Sequence, residues 1–383
     1  MALHLSIFMS IRKIPREDWN NLTRLQDIPF LDWEWLCALE DSGSIVPRTG
    51  WQPLHFTLWD AHTLKAAAPF YLKSNSEGEY VYDYFWAEAA AKLGLTWYPK
   101  LVACCPASPA EGYRFLCAPD IDEAAACAVI LEAAQTLCLN NRIVSLNILF
   151  ADPTWAPCLP AQDYTAWEHS HYEWTNQGFT DFEDYLSCFN KNQRKNIRKE
   201  YRSHKEQGIA IKIIPGEEAS KEHFKRMFEL YTLTNDKFAP WDARYVNEAF
   251  FMLLEKQYRH ALTFVEAREE RSGTLIALAF LVRKGSRVFG RYWGAYEEVR
   301  DLHFAACYYA PIDWAIQNGI ERFDPGAGSP HKIRRGFVSV RDYSYHRFFD
   351  PVLSRLFAAN IAAVNQYEQD LRAELNAASP LIR

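Results

Sequence analysis

The sequence has no long hydrophobic run and none of the common signatures of nucleotide-binding or hydrolytic enzymes. No window approaches about 18 uninterrupted apolar residues, so we expect no integral membrane association. A short N-terminal apolar stretch interrupted by charged residues does not resemble a secretory signal. G-x-S-x-G, Walker, H-E-x-x-H and dinucleotide fingerprints are all missing, which argues against the enzyme classes that carry them.

Patterns typical of a metal or disulfide framework are also missing. Nine cysteines occur, an odd number, and no two of them form a C-x-x-C pair. This usage predicts reduced thiols in a cytoplasmic protein, and a catalytic cysteine–histidine pair has no local signature to support it. His169 and His171 lie between Glu168 and Glu173, but no further ligand cluster accompanies them, so we predict no metal and no tightly bound cofactor.

The chain is long enough for two or three globular domains and its charge is unevenly distributed. It has 383 residues, of which 49% are hydrophobic, and a formal net charge of −6. Residues 1–165 carry 11 basic and 19 acidic side chains, whereas residues 166–383 carry 31 and 29. The acidic average excludes a uniformly basic nucleic-acid coat, while the difference between the halves favours domains with different roles.

The predicted order of elements repeats in the two halves. Each half reads strand, two helices, three strands, helix and two strands, with Tyr80–Trp86 as the third strand of the first set. Three consecutive strands imply antiparallel pairing, and a helix before the next strand implies a parallel crossover. The order predicts an α/β fold with mixed sheets, two tandem GCN5-related N-acetyltransferase (GNAT) domains. Pro311 should kink its predicted helix or delay its start.

The domain boundaries follow from this repeat and from a proline-containing segment. We predict a first GNAT-like domain over residues 1–165, a second over 166–350, and a C-terminal helix over 351–383. The linker lies near residues 152–162. The first domain is expected to shape an acceptor groove, and the second to contain the active site.

Residues 190–208 form a predicted basic helix. Seven lysines and arginines stand against two glutamates in this segment. Arg194, Arg198 and Arg202 are four residues apart and share one helix face, where guanidinium groups suit phosphate or carboxylate recognition. A solvated surface helix is the alternative interpretation. RNA, CoA or a nucleotide-linked precursor would supply the phosphates.

A second basic segment follows a predicted strand that ends at Asp324. Gly326 and Gly328 permit close backbone approach to a ligand, and a basic cluster that includes His331, Lys332 and Arg335 follows them. Loops at the carboxyl ends of strands commonly form sites in α/β folds, which favours a functional loop over a simple connection.

The segment RVFGRYWGAY provides a third candidate. Arg291 and Gly294 partly match the R/Q-x-x-G-x-G/A loop that binds pyrophosphate in CoA-dependent acetyltransferases. Tyr296 occupies the last position of the pattern, and Glu297, Glu298 and Asp301 follow. These features argue against a pyrophosphate site, and an aromatic core strand is the alternative interpretation of the segment.

Four stretches together resemble the FemAB-like predicted N-acyltransferases, which are tandem GNAT chains grouped with the Fem aminoacyltransferases. They are PFLDWEWLCALEDSGSIVPRTGWQP, YPKL followed by PASPAEGYRFL, GRYWGAYEEVRDLHFAACYYAPIDWAI, and FDPGAGSPHKIRRGF. The basic segment from Asn190 also resembles the helix that begins the second domain of Fem ligases. Fem enzymes use aminoacyl-tRNA to extend the peptide of a peptidoglycan precursor, and the wider superfamily uses acyl-CoA.

The resemblance implies roles for individual residues. HKIRRGF is similar to the Phe-Lys-x-x-Phe stretch of Fem ligases, whose lysine meets precursor phosphate, so Lys332 is implied as an anion contact. Arg291, Trp293 and Gly294 match the GRYWG of the family. Two family carboxylates are replaced, because Gly-Glu-His becomes Ser329-Pro330-His331 and the glutamate of LHFE becomes alanine.

These observations predict an N-acyltransferase that uses aminoacyl-tRNA or acyl-CoA to modify an amine, for example of a peptidoglycan-type precursor or a peptide. Asp324 or His331 would act as the base, and Lys332 and Arg335 would contact phosphate or the oxyanion. The basic helix slightly favours tRNA over CoA as the partner. The replaced carboxylates favour the alternative, a non-catalytic binding module for RNA or a cell-wall precursor.

Overall fold

A computed structural model describes residues 3–237 and 243–382. The strands are β1 (His4–Phe8), β2 (Trp51–Asp60), β3 (Thr63–Lys73), β4 (Lys100–Ala103), β5 (Leu116–Cys117), β6 (Ser145–Ile148), β7 (Thr165–Thr175), β8 (Ile209–Pro215), β9 (Leu262–Glu269), β10 (Leu275–Lys284), β11 (Arg287–Ala295), β12 (Arg322–Asp324) and β13 (Val338–Phe348). The α-helices are α1 (Arg16–Thr23), α2 (Trp33–Asp41), α3 (Tyr84–Lys92), α4 (Glu123–Asn140), α5 (Phe182–Ser187), α6 (Lys191–Glu206), α7 (Lys221–Asp236), α8 (Glu248–Gln257), α9 (Leu302–Phe304), α10 (Ala310–Gln317) and α11 (Pro351–Ala377).

The chain forms two compact units. The first runs to His169 and also includes Arg341–Asp370, and the second comprises Ser170–Val340 and the residues from Leu371 onward. The chain therefore passes between units inside β7, and the proline-containing segment at residues 152–162 lies within the first unit. There Trp155 is fully buried.

The sheets of the two units have the same pattern. In the first unit the strand order is β1-β2-β3-β4-β6-β13, with β5 beside β3. In the second the order is β8-β9-β10-β11-β12-β7. In both, the first three pairings are antiparallel, the fourth is parallel after a helical crossover, and the fifth is antiparallel. This repetition confirms the predicted α/β architecture of tandem GNAT domains.

The prediction of a third strand at Tyr80–Trp86 in the first unit is wrong. Residues 80–83 form a loop and Tyr84 begins α3, whereas β4 at Lys100–Ala103 is the strand that pairs with β3. The alternating aromatic residues have high strand propensity, but the buried Asp83 side chain accepts a hydrogen bond from Trp97 Nε1 at 2.8 Å and contacts Lys100. Tertiary contacts of one carboxylate thus override local propensity.

A π-helical turn interrupts the helix just before Pro311, so the α-helical segment that contains Pro311 begins only at Ala310. The helix begins at α9, continues as a π-helical turn over Ala305–Tyr309, and resumes as α10 with Pro311 near its start. Proline has no N–H and its ring excludes the carbonyl four residues earlier, so the wider π turn removes the conflict. In the described part of the chain, no helix combines the length and apolar character needed to cross a membrane.

Candidate functional site

The candidate site of the second unit lies where two parallel strands stop pairing. β11 and β12 pair only from Arg287 with Arg322 to Phe289 with Asp324. β12 ends there, while β11 continues to Ala295. The edge of β11 beyond Phe289 is therefore not covered by β12, and the loop that follows Asp324 leaves at this point.

A β-bulge places Arg291 at the same point. On β10, Phe280 faces Tyr292 and Leu281 faces Gly290, so Arg291 is the extra residue of β11. Bulges interrupt a ladder and re-aim one side chain, and they are common beside active sites. Arg291 is close enough to Asp324 for its positive charge to lower the pKa of that carboxyl group.

Asp324 and Gly326 form the first turn of the loop. Asp324 is 6% exposed, and its Oδ1 accepts the N–H of Gly326 at 2.7 Å. Burial raises the pKa of Asp324, against the lowering effects of this N–H and of the nearby cations. Gly326 has φ of +81°, and a Cβ there would lie 2.7 Å from the Gly290 carbonyl oxygen. Only glycine lets the loop pass this close to the bulge.

Lys332 holds the loop from inside. Its Nζ donates hydrogen bonds to the carbonyl oxygens of Gly326 at 2.7 Å and Ala327 at 3.0 Å, and the residue is 2% exposed. Burial lowers the pKa of Lys332 to about 8, although Asp324 acts in the opposite direction. Lys332 therefore both shapes the loop and places a cation next to Asp324 and Gly328.

His331 connects the loop to an aromatic cluster. Its Nδ1 lies 2.7 Å from Ser329 Oγ, and its Nε2 lies 3.0 Å from the Tyr308 hydroxyl. Burial and the cations of Arg335 and Lys332 lower the pKa of His331 to about 4, so the ring is neutral near pH 7. A neutral imidazole in these contacts can position a hydroxyl or accept a proton.

Arg335 and Glu200 form a contact at this site that the sequence does not indicate. Arg335 Nε and Nη2 donate to the two carboxylate oxygens of Glu200 at 3.1 and 3.0 Å, and the guanidinium carbon lies 3.4 Å from the Phe304 ring centre. Glu200 also accepts from the Tyr309 hydroxyl. Glu200 belongs to the basic helix, where one acidic residue beside Lys199 gives no signal of a partner 135 positions away.

Two predicted site residues, Trp293 and Gly294, make contacts outside the loop that follows Asp324. Trp293 is half-buried and its ring centre lies 5.4 Å from that of His303, which borders the same aromatic cluster. Gly294 packs against α7, where a Cβ would lie 2.3 Å from the Leu230 carbonyl oxygen. Its small size therefore serves helix–strand packing in this structure.

The arginine row of α6 does not converge on the loop. Arg194 Nη1 donates to the carbonyl oxygens of Ser187 at 3.3 Å and Phe189 at 2.7 Å, near the end of α5. Arg198 pairs with Glu183 at 2.6 Å. Arg202 is exposed on the same helix. Two of the three guanidinium groups are thus committed to contacts within the protein.

We predict that the second unit loses stability in mild acid because three of its histidines are held neutral. Burial lowers the pKa of His171, His303 and His331 to about 4 each. Below the unfolded value of about 6.5 only the unfolded chain gains protons, so stability is complete above pH 6.5 and declines towards pH 4. A fully buried histidine would cost up to about 1.4 kcal/mol per pH unit, and each of these three partly buried histidines costs less.

Urea unfolding at pH 7.5, 6 and 5 checks this expectation. The midpoint should fall at each step, and His303→Asn should reduce the fall. His62→Asn is the matched control, because His62 is exposed in the first unit. A midpoint that stays constant from pH 7.5 to 5 would contradict the prediction.

Comparisons with known proteins agree with this architecture. The profile of a family described as peptidoglycan biosynthesis/recognition, FemAB-like, matches residues 10–383. The chain belongs to the FemAB-like family. As a FemAB-like protein it is an acyltransferase, and this confirms the enzyme class expected from the sequence. No curated protein matches the chain.

Solved structures share the fold of this FemAB-like protein at low identity. FemX is 11% identical with a TM-score of 0.56, covering 94% of this chain and 100% of FemX. The C-terminal domain of a protein assigned as lysylphosphatidylglycerol synthetase from Agrobacterium fabrum is 9% identical, with a TM-score of 0.53 and coverages of 90% and 95%. L-PGS from Bacillus licheniformis is 10% identical, with a TM-score of 0.51 and coverages of 86% and 94%.

Proposed function

We propose that this protein transfers an acyl or aminoacyl group from acyl-CoA or aminoacyl-tRNA to an amine, on a peptidoglycan-type precursor or a peptide. The observation that carries the proposal is the end of β11–β12 pairing, with bulged Arg291, buried Asp324 and the cation of Lys332 around it. Acyl transfer needs a base, an oxyanion contact and positive charge for the phosphates of the donor. In this proposal Asp324, Arg291 and Lys332 would supply them.

In the proposed reaction the amine nitrogen attacks the carbonyl carbon of the donor. A C–N bond forms, the C–O or C–S bond breaks, and the leaving group takes up a proton. Asp324 is the better base of the two predicted, because burial raises its pKa and lowers that of His331. Arg291 and Lys332 would stabilise the oxyanion, and Arg335 would contact phosphate through any donor atoms not used by Glu200.

The test is a donor and acceptor screen with the purified protein. Aminoacyl-tRNA and acyl-CoA are each offered with amine acceptors that include peptidoglycan precursor peptides, and products are detected by mass spectrometry. An acylated amine that requires one of these donors supports the proposal. Binding of a donor or precursor without any product would overturn the proposal in favour of a binding module.

We predict that Lys332→Ala lowers turnover at least tenfold, a loss of about 1.4 kcal/mol in transition-state stabilisation. The variant removes the cation beside Asp324 and both hydrogen bonds to the loop carbonyl groups. Arg334→Ala is the matched control, since Arg334 is an exposed cation in the same loop. Steady-state kinetics with the substrates found in the screen provides the measurement. An unchanged rate for Lys332→Ala would remove this residue from the mechanism.

A further inference from the structure

A second cleft of the second unit lies away from the loop that carries Lys332. It has a volume of about 500 Å³ and is bordered by α5, α6, α10 and the edge strand β8. Helix α6 lines the cleft with Arg198, Tyr201, Arg202 and Lys205, which recur at helical spacing and form one stripe of the helix. Glu200, which binds Arg335, belongs to the opposite side of this helix. The volume is within the range of small-molecule sites.

The charges of this cleft are not balanced. Three cations, Arg198, Arg202 and Lys205, face two carboxylates, of which Glu183 pairs with Arg198 at 2.6 Å and Asp313 accepts from the Gln317 side-chain amide at 2.9 Å. Arg202 and Lys205 are exposed at the border, and neither forms an ion pair with a residue in the described ranges. The unpaired cations favour an anionic ligand.

The remaining surface of the cleft is aromatic and apolar. Phe182, Tyr201 and Trp314 are half-buried around it, with isoleucines of β8 below. The Tyr201 hydroxyl donates a hydrogen bond to Asp313 at 3.4 Å. His204 also lines the cleft, and its Nδ1 donates to the Ile209 carbonyl oxygen at 2.7 Å, so Nε2 is a hydrogen-bond acceptor.

We propose that this cleft binds a nucleotide, with the planar base against Tyr201 and Trp314 and the phosphate at Arg202 and Lys205. Stacking on aromatic rings suits any base, while an imidazole acceptor suits an exocyclic amino group. The ligand would be a free nucleoside phosphate or the terminal nucleotide of an RNA, which share this chemistry. The proposal deepens the anion-binding role of Arg202, but its test does not depend on acyl transfer.

Isothermal titration calorimetry of the full chain with AMP tests this site. We expect one AMP per chain, with adenosine and inorganic phosphate each binding at least tenfold more weakly. Arg202→Glu should weaken AMP binding at least tenfold. Lys199→Glu is the matched control, because Lys199 is an exposed cation on the same helix outside the stripe, and it should change the affinity less than twofold.

Competition with a short oligoadenylate distinguishes the two sources. Displacement of AMP by a lower concentration of oligoadenylate indicates an RNA end, and displacement only by mononucleotides indicates a free nucleotide. Either result supports the shared chemistry. Equal losses of AMP affinity in Arg202→Glu and Lys199→Glu would show general attraction of the anion to a basic helix. Inorganic phosphate that binds as tightly as AMP would show a simple anion contact. Each of these results would overturn the nucleotide site.

Discussion

Replacing Lys100 by methionine should destabilise the protein by about 3–5 kcal/mol, because it leaves two buried carboxylates without their cation. Lys100 is 3% exposed in the first unit. Its Nζ lies 2.7 Å from Glu79 Oε2 and contacts Asp83. Burial alone would lower the pKa of Lys100, but the two carboxylates outweigh burial and raise it, so the amine is charged at every physiological pH.

Urea unfolding near pH 7.5 measures this effect. The matched control is Lys92→Met, since Lys92 is 73% exposed and pairs with Glu88 on the surface of α3. We expect a change within about 0.5 kcal/mol for that variant. Adding Glu79→Gln and Asp83→Asn to Lys100→Met should recover much of the loss, since the buried charges are then removed together. Equal effects of Lys100→Met and Lys92→Met would refute the account.

The same contacts explain why part of the first unit was not predictable from its sequence. Repetition of local patterns was enough to predict two similar α/β domains, because strand and helix periodicity are local properties. The strand predicted at Tyr80–Trp86 does not form, because Asp83 is held by Lys100 and Trp97, which lie 17 and 14 positions further on. A buried ion pair of this kind leaves no periodic trace in the sequence.

The candidate site was predictable to a similar extent. The glycines and cations of the loop after Asp324 are local features, and the structure places Gly326, His331 and Lys332 in direct contact with neighbouring loop residues. The bulge at Arg291 was not predictable, since it depends on how β10 and β11 align. Glu200 was not predictable either, because only the folded chain brings α6 to the loop.

Glu200→Gln should release this loop and lower turnover at least tenfold through kcat. The wild-type carboxylate binds Arg335 through two hydrogen bonds and also accepts from Tyr309, whereas a carboxamide has one acceptor oxygen and no charge. Arg335, whose side chain is 7% exposed, would be left buried without its counter-charge. The resulting penalty falls on the loop that carries His331 and Lys332.

Limited trypsin digestion measures the release without any substrate. Arg334 is exposed beside Arg335, so cleavage after Arg334 should accelerate as the loop opens locally. Glu206→Gln is the matched control, since it removes the same charge from the same helix at a side chain that is 63% exposed. Adding Arg335→Met to Glu200→Gln should slow cleavage again, because the uncompensated cation is gone. Equal cleavage rates in Glu200→Gln and Glu206→Gln would mean that Glu200 does not position the loop.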